Sequence, residues 1–169
     1  KKKSSDDRGF LSRLYCYDEF IDNKVNYKIK QINLTLTKKK ATIRGLHYQN
    51  PPHAEIKFVT CLKGEIFDVI IDLRKGSPTF LKFHAEILSE QNQKSLLIPK
   101  GFAHGFQSLK NNSELLYFHT ENYMPTYENG INYQDKKINI NWPLKVSLIS
   151  KRDQSLPNIS DDFFGIEIK

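Results

Sequence analysis

The sequence predicts an all-β fold, a sandwich or barrel of short strands, from three observations. Runs rich in β-branched and aromatic residues recur at close spacing, Gly, Pro and Asn punctuate them, and helical periodicity is weak. Ile56–Leu62 reads Ile-Lys-Phe-Val-Thr-Cys-Leu and closes on Lys63-Gly64. Glu65–Leu73 follows, with Ile66, Asp68, Ile70 and Asp72 on one face and Phe67, Val69, Ile71 and Leu73 on a wholly apolar opposite face. Two strands joined by a Lys-Gly turn predict a hairpin. Further strands are expected over Tyr27–Leu36, Ala41–Tyr48, Phe80–Leu88, Lys94–Ile98, Gly105–Leu109 and Glu114–His119. Asn50-Pro51-Pro52, Lys75-Gly76-Ser77-Pro78 and Pro99-Lys100-Gly101 separate them. A short amphipathic helix is expected over Leu11–Ile21 and a single helical turn over Ser160–Phe164. The tail beyond Trp142-Pro143 is irregular and is expected to wrap the barrel.

At 169 residues the chain suits one domain with its own core, so a single unit over residues 1–169 is expected. Hydrophobic residues at 38% are ordinary for a folded protein, and no apolar run approaches the roughly 20 residues that span a bilayer. The charged stretch Lys1–Asp7 lacks the apolar core of a secretory signal, and Cys16 and Cys61 form no disulfide framework or metal pair. These features predict a cytoplasmic protein with no membrane partner. The formal charge of +7 suits either nucleic acid or a small, doubly charged ligand. Its densest cluster, Lys38-Lys39-Lys40, sits between strands without regularly spaced aromatic partners, which argues for a solvated turn and against nucleic acid.

The histidines are His47, His53, His84, His104 and His119. In Arg44-Gly45-Leu46-His47-Tyr48-Gln49, strand alternation would put Gly45, His47 and Gln49 on one face. Lys57 is an unexpected cation inside an apolar run, and Asp68 an unexpected carboxylate. His47, His53, Glu55 and His104 are the residue types of a metal site. The paired histidines two positions apart that a common barrel metal motif uses are missing, because Tyr48 and Gln49 follow His47. No protein-held metal is therefore expected.

Several longer motifs stand in register. They are Arg44–Gln49 with Pro51-Pro52, Gly64–Val69, Asp72-Leu73-Arg74, Gly76-Ser77-Pro78-Thr79-Phe80 and Ile98–Phe106 with its Gly101-Phe102-Ala103-His104-Gly105 centre. Tyr117, Tyr123-Met124-Pro125, Trp142-Pro143-Leu144 and Ser150-Lys151-Arg152-Asp153 continue the series. In order and spacing the chain resembles the dTDP-4-dehydrorhamnose 3,5-epimerase family from Asp7 to about Pro157. That resemblance implies a cupin-type jelly roll with short peripheral helices and a homodimer exchanging strands. It also implies a nucleotide-diphosphate sugar as substrate, a 4-keto-6-deoxyhexose whose C3 and C5 protons are acidified by the ketone, and a reaction that needs no cofactor. The pathway it implies is dTDP-rhamnose synthesis for polysaccharide.

The resemblance also implies roles. His47 matches the base, Asp153 its partner carboxylate, Tyr117 the acid on the opposite face, and Lys57 the donor to the enolate oxygen, with His104 nearby. A neutral imidazole suits proton abstraction near neutral pH, and a phenol stays protonated there. Arg44, Arg8 and Lys151 match positions at the anionic end of the ligand, where an arginine fork pairs two phosphate oxygens. Gln31, Asn33 and Glu128 are expected at the base or its sugar, and Asp68 and Tyr123 along the pocket wall. Family members commonly have an apolar strand before the Asp-x-Arg-Gly motif, a glutamate where Arg13 stands and a glycine where Ala41 stands. The alternatives are a single-site 3- or 5-epimerase and a non-catalytic sugar-nucleotide-binding paralogue.

Overall fold

A computed structural model describes residues 3–22 and 28–168. In chain order the elements are β1 (Lys3–Asp6), β2 (Gly9–Ser12), α1 (Tyr17–Asp22), β3 (Gln31–Thr37), β4 (Thr42–Gln49), β5 (Lys57–Lys63) and β6 (Glu65–Asp72). There follow β7 (Phe83–Ser89), β8 (Ser95–Ile98), β9 (Phe102–Ser108), β10 (Ser113–His119), β11 (Glu128–Gly130), β12 (Leu148–Ile149) and α2 (Lys151–Gln154). Among the described residues, β1 and β2 pair only with each other. A smaller sheet runs β3-β10-β5-β8, and a larger one runs β11-β4-β9-β6-β7, with β12 parallel to β4. The two sheets face one another as a cupin-type jelly roll, the all-β class expected.

Two apolar cores hold the layers. Between the sheets lie Val59, Cys61, Ile66, Ile70, Phe106 and Leu115, with Leu88 and Ile98 closing the ends. On the outer face of the larger sheet, Leu46, Val69, Ile71 and Leu73 pack under Ile131, Ile138 and Ile166. Strand β6 is thus buried on both faces, and its alternation divides the two cores. The tail does wrap the barrel: Ile166 bridges in parallel to Arg74, and Trp142 stands edge-on to Phe67.

Three sequence expectations need correction. β5 and β6 do not form a hairpin, since β5 pairs with β8 and β10 while β6 pairs with β7 and β9. Gly64, at φ +79°, turns the chain from one sheet to the other, a conformation glycine adopts without Cβ strain. The helix expected over Leu11–Ile21 is shorter, because Leu11 and Ser12 belong to β2, leaving α1 over Tyr17–Asp22. The turn of helix expected over Ser160–Phe164 is a single hydrogen-bonded turn at 161–162, closed by the Phe163 amide on the Ser160 carbonyl at 3.4 Å. Strand boundaries moved as well: β3 begins at Gln31, with Tyr27 outside the described residues, β7 begins at Phe83 and β9 at Phe102. Ala41, standing where glycine is common, holds φ +62° before β4.

The Asp72-Leu73-Arg74 and Gly76–Phe80 motifs prove to be one structural joint. The Asp72 side chain, 1% exposed, accepts from Arg74 Nε at 2.9 Å and Nη2 at 2.7 Å, and from the Ser77 and Thr79 hydroxyls at 2.6 Å each. Burial alone would push its carboxyl up, but the Arg74 guanidinium and the two hydroxyls hold it far below the usual carboxylate range. Because the folded-state value lies below the unfolded one, this joint stabilises the fold above about pH 4 and the contribution fades as acid protonates the carboxylate. Asp72→Asn is expected to lower stability by about 1–3 kcal/mol at pH 7 and to flatten the acid limb of urea midpoints measured against pH.

Candidate active site

A cleft of about 650 Å³ opens between the sheets. β4, β9 and the segment around α2 supply one wall, and β3, β5 and β10 the other. Along β4 a register irregularity between Arg44 and His47 shifts the alternation. As a result Arg44, His47 and Gln49 line the cleft, and Gly45 does not share their position. Gly45 instead lies against β9, where an added Cβ would meet Gly105 Cα at 2.6 Å.

His47 Nε2 donates to Asp153 Oδ1 at 2.9 Å, and the other carboxylate oxygen accepts from the Gly45 amide at 3.1 Å. Ser150 caps α2 and its Oγ accepts from the Asp153 amide at 3.0 Å, which fixes the carboxylate against the ring. Burial pushes the Asp153 carboxyl up, yet the His47 hydrogen bond and the Gly45 amide outweigh it and leave the group below its ordinary range. An ionised Asp153 can only accept, so the proton of neutral His47 sits on Nε2 and the free lone pair is on Nδ1.

Across the cleft, Tyr117 is 9% exposed and belongs to the core between the sheets. Burial, reinforced by the charge of nearby Asp68, pushes its phenol well above the ordinary value, so it remains a proton donor throughout the neutral range. His104 stands edge-on to it with ring centroids 6.1 Å apart and pairs through Nε2 with Asp68 Oδ1 at 2.7 Å. Lys57 Nζ meets Glu55 Oε1 at 3.2 Å, and Glu55 Oε2 accepts from His119 Nδ1 at 2.7 Å. At the rim, Glu128 accepts from Tyr123 Oη and from Arg152 Nη2, both at 2.6 Å, while Arg44 reaches Thr37 Oγ1 at 3.1 Å and the Leu36 carbonyl at 3.2 Å.

The structure therefore gathers His47, Asp153, Tyr117, Lys57, Arg44, Asn33, His104, Tyr123 and Glu128 at one cleft. Four expected residues lie outside its lining. Arg8 is on the separate β1–β2 hairpin, paired with Asp6 at 2.6 Å. Gln31 braces the rim from behind, donating to Asn33 and accepting from the Tyr123 amide. Asp68 is fully buried behind His104. Lys151 is exposed, and its neighbour Arg152 takes the lining position because Asp153 is tied inward. Arg13 pairs locally with Glu19 at 2.9 Å, away from the cleft.

Sequence reasoning missed Arg152, His119 and the alignment of Glu55. The signal was there for two of them, since strand alternation puts His119 on Tyr117's face and brings Glu55 in beside Lys57. His53, considered as a metal ligand, packs its ring on Tyr127 at 4.5 Å. Among the described residues no group of three or more His, Cys, Asp or Glu side chains is placed to hold a metal ion. No helix among them is long and apolar enough to cross a membrane.

The jelly roll sets an imidazole paired with a carboxylate of α2 on one wall against a buried phenol and an ammonium on the other, groups of the type that take up and release protons. The family model for dTDP-4-dehydrorhamnose 3,5-epimerase matches residues 1–161, and the chain belongs to that family of isomerases. It is 41% identical over 155 residues to the dTDP-4-dehydrorhamnose 3,5-epimerase of Shigella flexneri, covering 90% of this chain and 84% of the relative. The crystal structure of dTDP-4-dehydrorhamnose 3,5-epimerase from Bacillus anthracis with TDP and PPi bound superposes with a TM-score of 0.91 at 38% identity, covering 94% of this chain and 90% of that one. The Legionella pneumophila epimerase in complex with dTDP-4-keto-L-rhamnose superposes with a TM-score of 0.92 at 34% identity, covering 99% and 90%.

Proposed function

We propose that this chain inverts C3 and C5 of a dTDP-linked 4-keto-6-deoxyhexose by proton abstraction and reprotonation from opposite faces. The observation that carries this reading is the placement of His47 with Asp153 on one wall and Tyr117 on the other. His47 Nδ1 takes the proton beside the ketone, and Asp153 balances the imidazolium that forms. Charge moves to the C4 oxygen, where the Lys57 ammonium donates; one such donor is worth about 3–4 kcal/mol in comparable sites. Tyr117 then delivers its proton to the other face of the same carbon. Arg44 and Arg152 supply guanidinium groups for the diphosphate, with Arg152 exchanging its Glu128 contact for phosphate.

The test is proton NMR of dTDP-4-keto-6-deoxyglucose incubated with the protein in heavy water. Loss of both the C3 and C5 signals is expected. Loss of one would make the chain a single-site epimerase, and binding without loss of either would make it a non-catalytic paralogue.

A homodimer belongs to the same proposal. β3 is an edge strand that exposes Ile32, Leu34 and Leu36 at 57%, 61% and 44%. An uncovered strand of this composition is a pairing surface. A second copy on it would bring Arg8 and the end of β3 at Gln31 towards a neighbouring cleft. Light scattering during size-exclusion chromatography is expected to give twice the 19.7 kDa chain mass; a monomer at micromolar concentration would overturn the assembly.

A further inference from the structure

The geometry points to Glu55 as a positioning residue that holds the Lys57 ammonium at the place where the enolate oxygen forms, an inference that rests on the role proposed for Lys57. The Glu55 side chain is 8% exposed, deep for a carboxylate in a segment between strands. One oxygen meets Lys57 Nζ at 3.2 Å and the other takes the Nδ1 proton of His119 at 2.7 Å. His119 is fixed in turn. Its ring stacks on Tyr117 with centroids 6.0 Å apart and planes 19° apart, and Asn33 Nδ2 lies 3.4 Å from its Nε2. With Nδ1 donating, the Nε2 lone pair is the one turned to Asn33, so a single tautomer suits both neighbours.

A lysine side chain has four rotatable carbons, and an ammonium that wanders by an ångström forfeits much of its value to a developing oxyanion. Glu55 restricts that freedom from a site whose own freedom is removed by His119. The carboxylate occupies one face of the ammonium, and Lys57 keeps its remaining N–H donors for the substrate oxygen. One carboxylate thereby ties the oxyanion donor to the strand face that carries the proton donor.

Glu55→Gln keeps the size of the side chain and removes its charge. In the dTDP-4-keto-6-deoxyglucose assay it is expected to lower kcat by about 10- to 100-fold while KM stays within about threefold. Lys57→Met alone should cost about 10²- to 10³-fold. In the Lys57→Met background, Glu55→Gln should change kcat by no more than about twofold, because its effect runs through a group already removed. If Lys57→Met is damaging and Glu55→Gln harmless, the role of Glu55 is overturned and that of Lys57 stands. Full additivity of the two losses would also overturn it, placing the action of Glu55 elsewhere. If Lys57→Met is itself harmless, the oxyanion reading of Lys57 fails and takes this inference with it. Should Glu55→Gln not fold, His119→Asn removes the carboxylate's other anchor. The same split between kcat and KM, absent in the Lys57→Met background, is then expected, and an unchanged kcat would overturn the role.

Discussion

His47→Ala is expected to stop deuterium wash-in at both C3 and C5, with a rate loss of about 10²- to 10⁴-fold, the usual contribution of a positioned general base. Both carbons flank the same ketone, and His47, paired with Asp153 through Nε2, keeps a free lone pair on Nδ1 at the cleft. His104 pairs through Nε2 with Asp68 and stands edge-on to Tyr117, the proton donor of this scheme. The loss should therefore fall on both positions together. It should leave substrate affinity within a few-fold, because Arg44, Arg152 and the rim residues are untouched. Residual exchange confined to C5 would assign a second base and break the single-base scheme.

Tyr117→Phe is expected to separate two events that are normally coupled. The base can still remove a proton and return deuterium to the same face, so wash-in should continue. Inversion should fall by about 10²-fold or more, because the donor on the far face is gone. The substitution deletes one oxygen from a side chain in the core between the sheets, and the ring remains to pack, so the fold should hold. Comparing deuterium incorporation with product configuration by NMR gives the ratio directly. Equal losses in both would show that Tyr117 positions substrate and that the proton arrives from another group.

Much of this site was legible in the sequence because its parts are encoded in short strands. His47 and Lys57 stand out as polar residues in β-type runs, and the motif register placed Tyr117 and Asp153 with them. What escaped was three-dimensional in origin. The shift between Arg44 and His47 cannot be read from alternation, since a bulge changes phase without changing composition. The Lys63-Gly64 pair has the same chemistry whether it closes a hairpin or carries the chain between sheets; the partners of β5 and β6 decide, and those are distant in sequence. Lys151, which the resemblance puts at the anionic end of the ligand, is exposed while Arg152 lines the cleft, and a four-residue helix is too short to show a period. The Asp72 joint was read as part of the functional motif series, although its carboxylate is fully spent on Arg74, Ser77 and Thr79.

The carboxylate that orients His47 lies 106 residues further along the chain. A ribosome adding about 5–20 residues per second finishes β4 several seconds before it reaches Asp153. Through that interval the nascent chain carries an imidazole with no partner to set its tautomer. Competence arrives late, when Ser150 caps its short helix and the last segment docks. Proteolytic trimming of that segment would have the opposite sequence of effects, silencing the base while most of both sheets stayed paired.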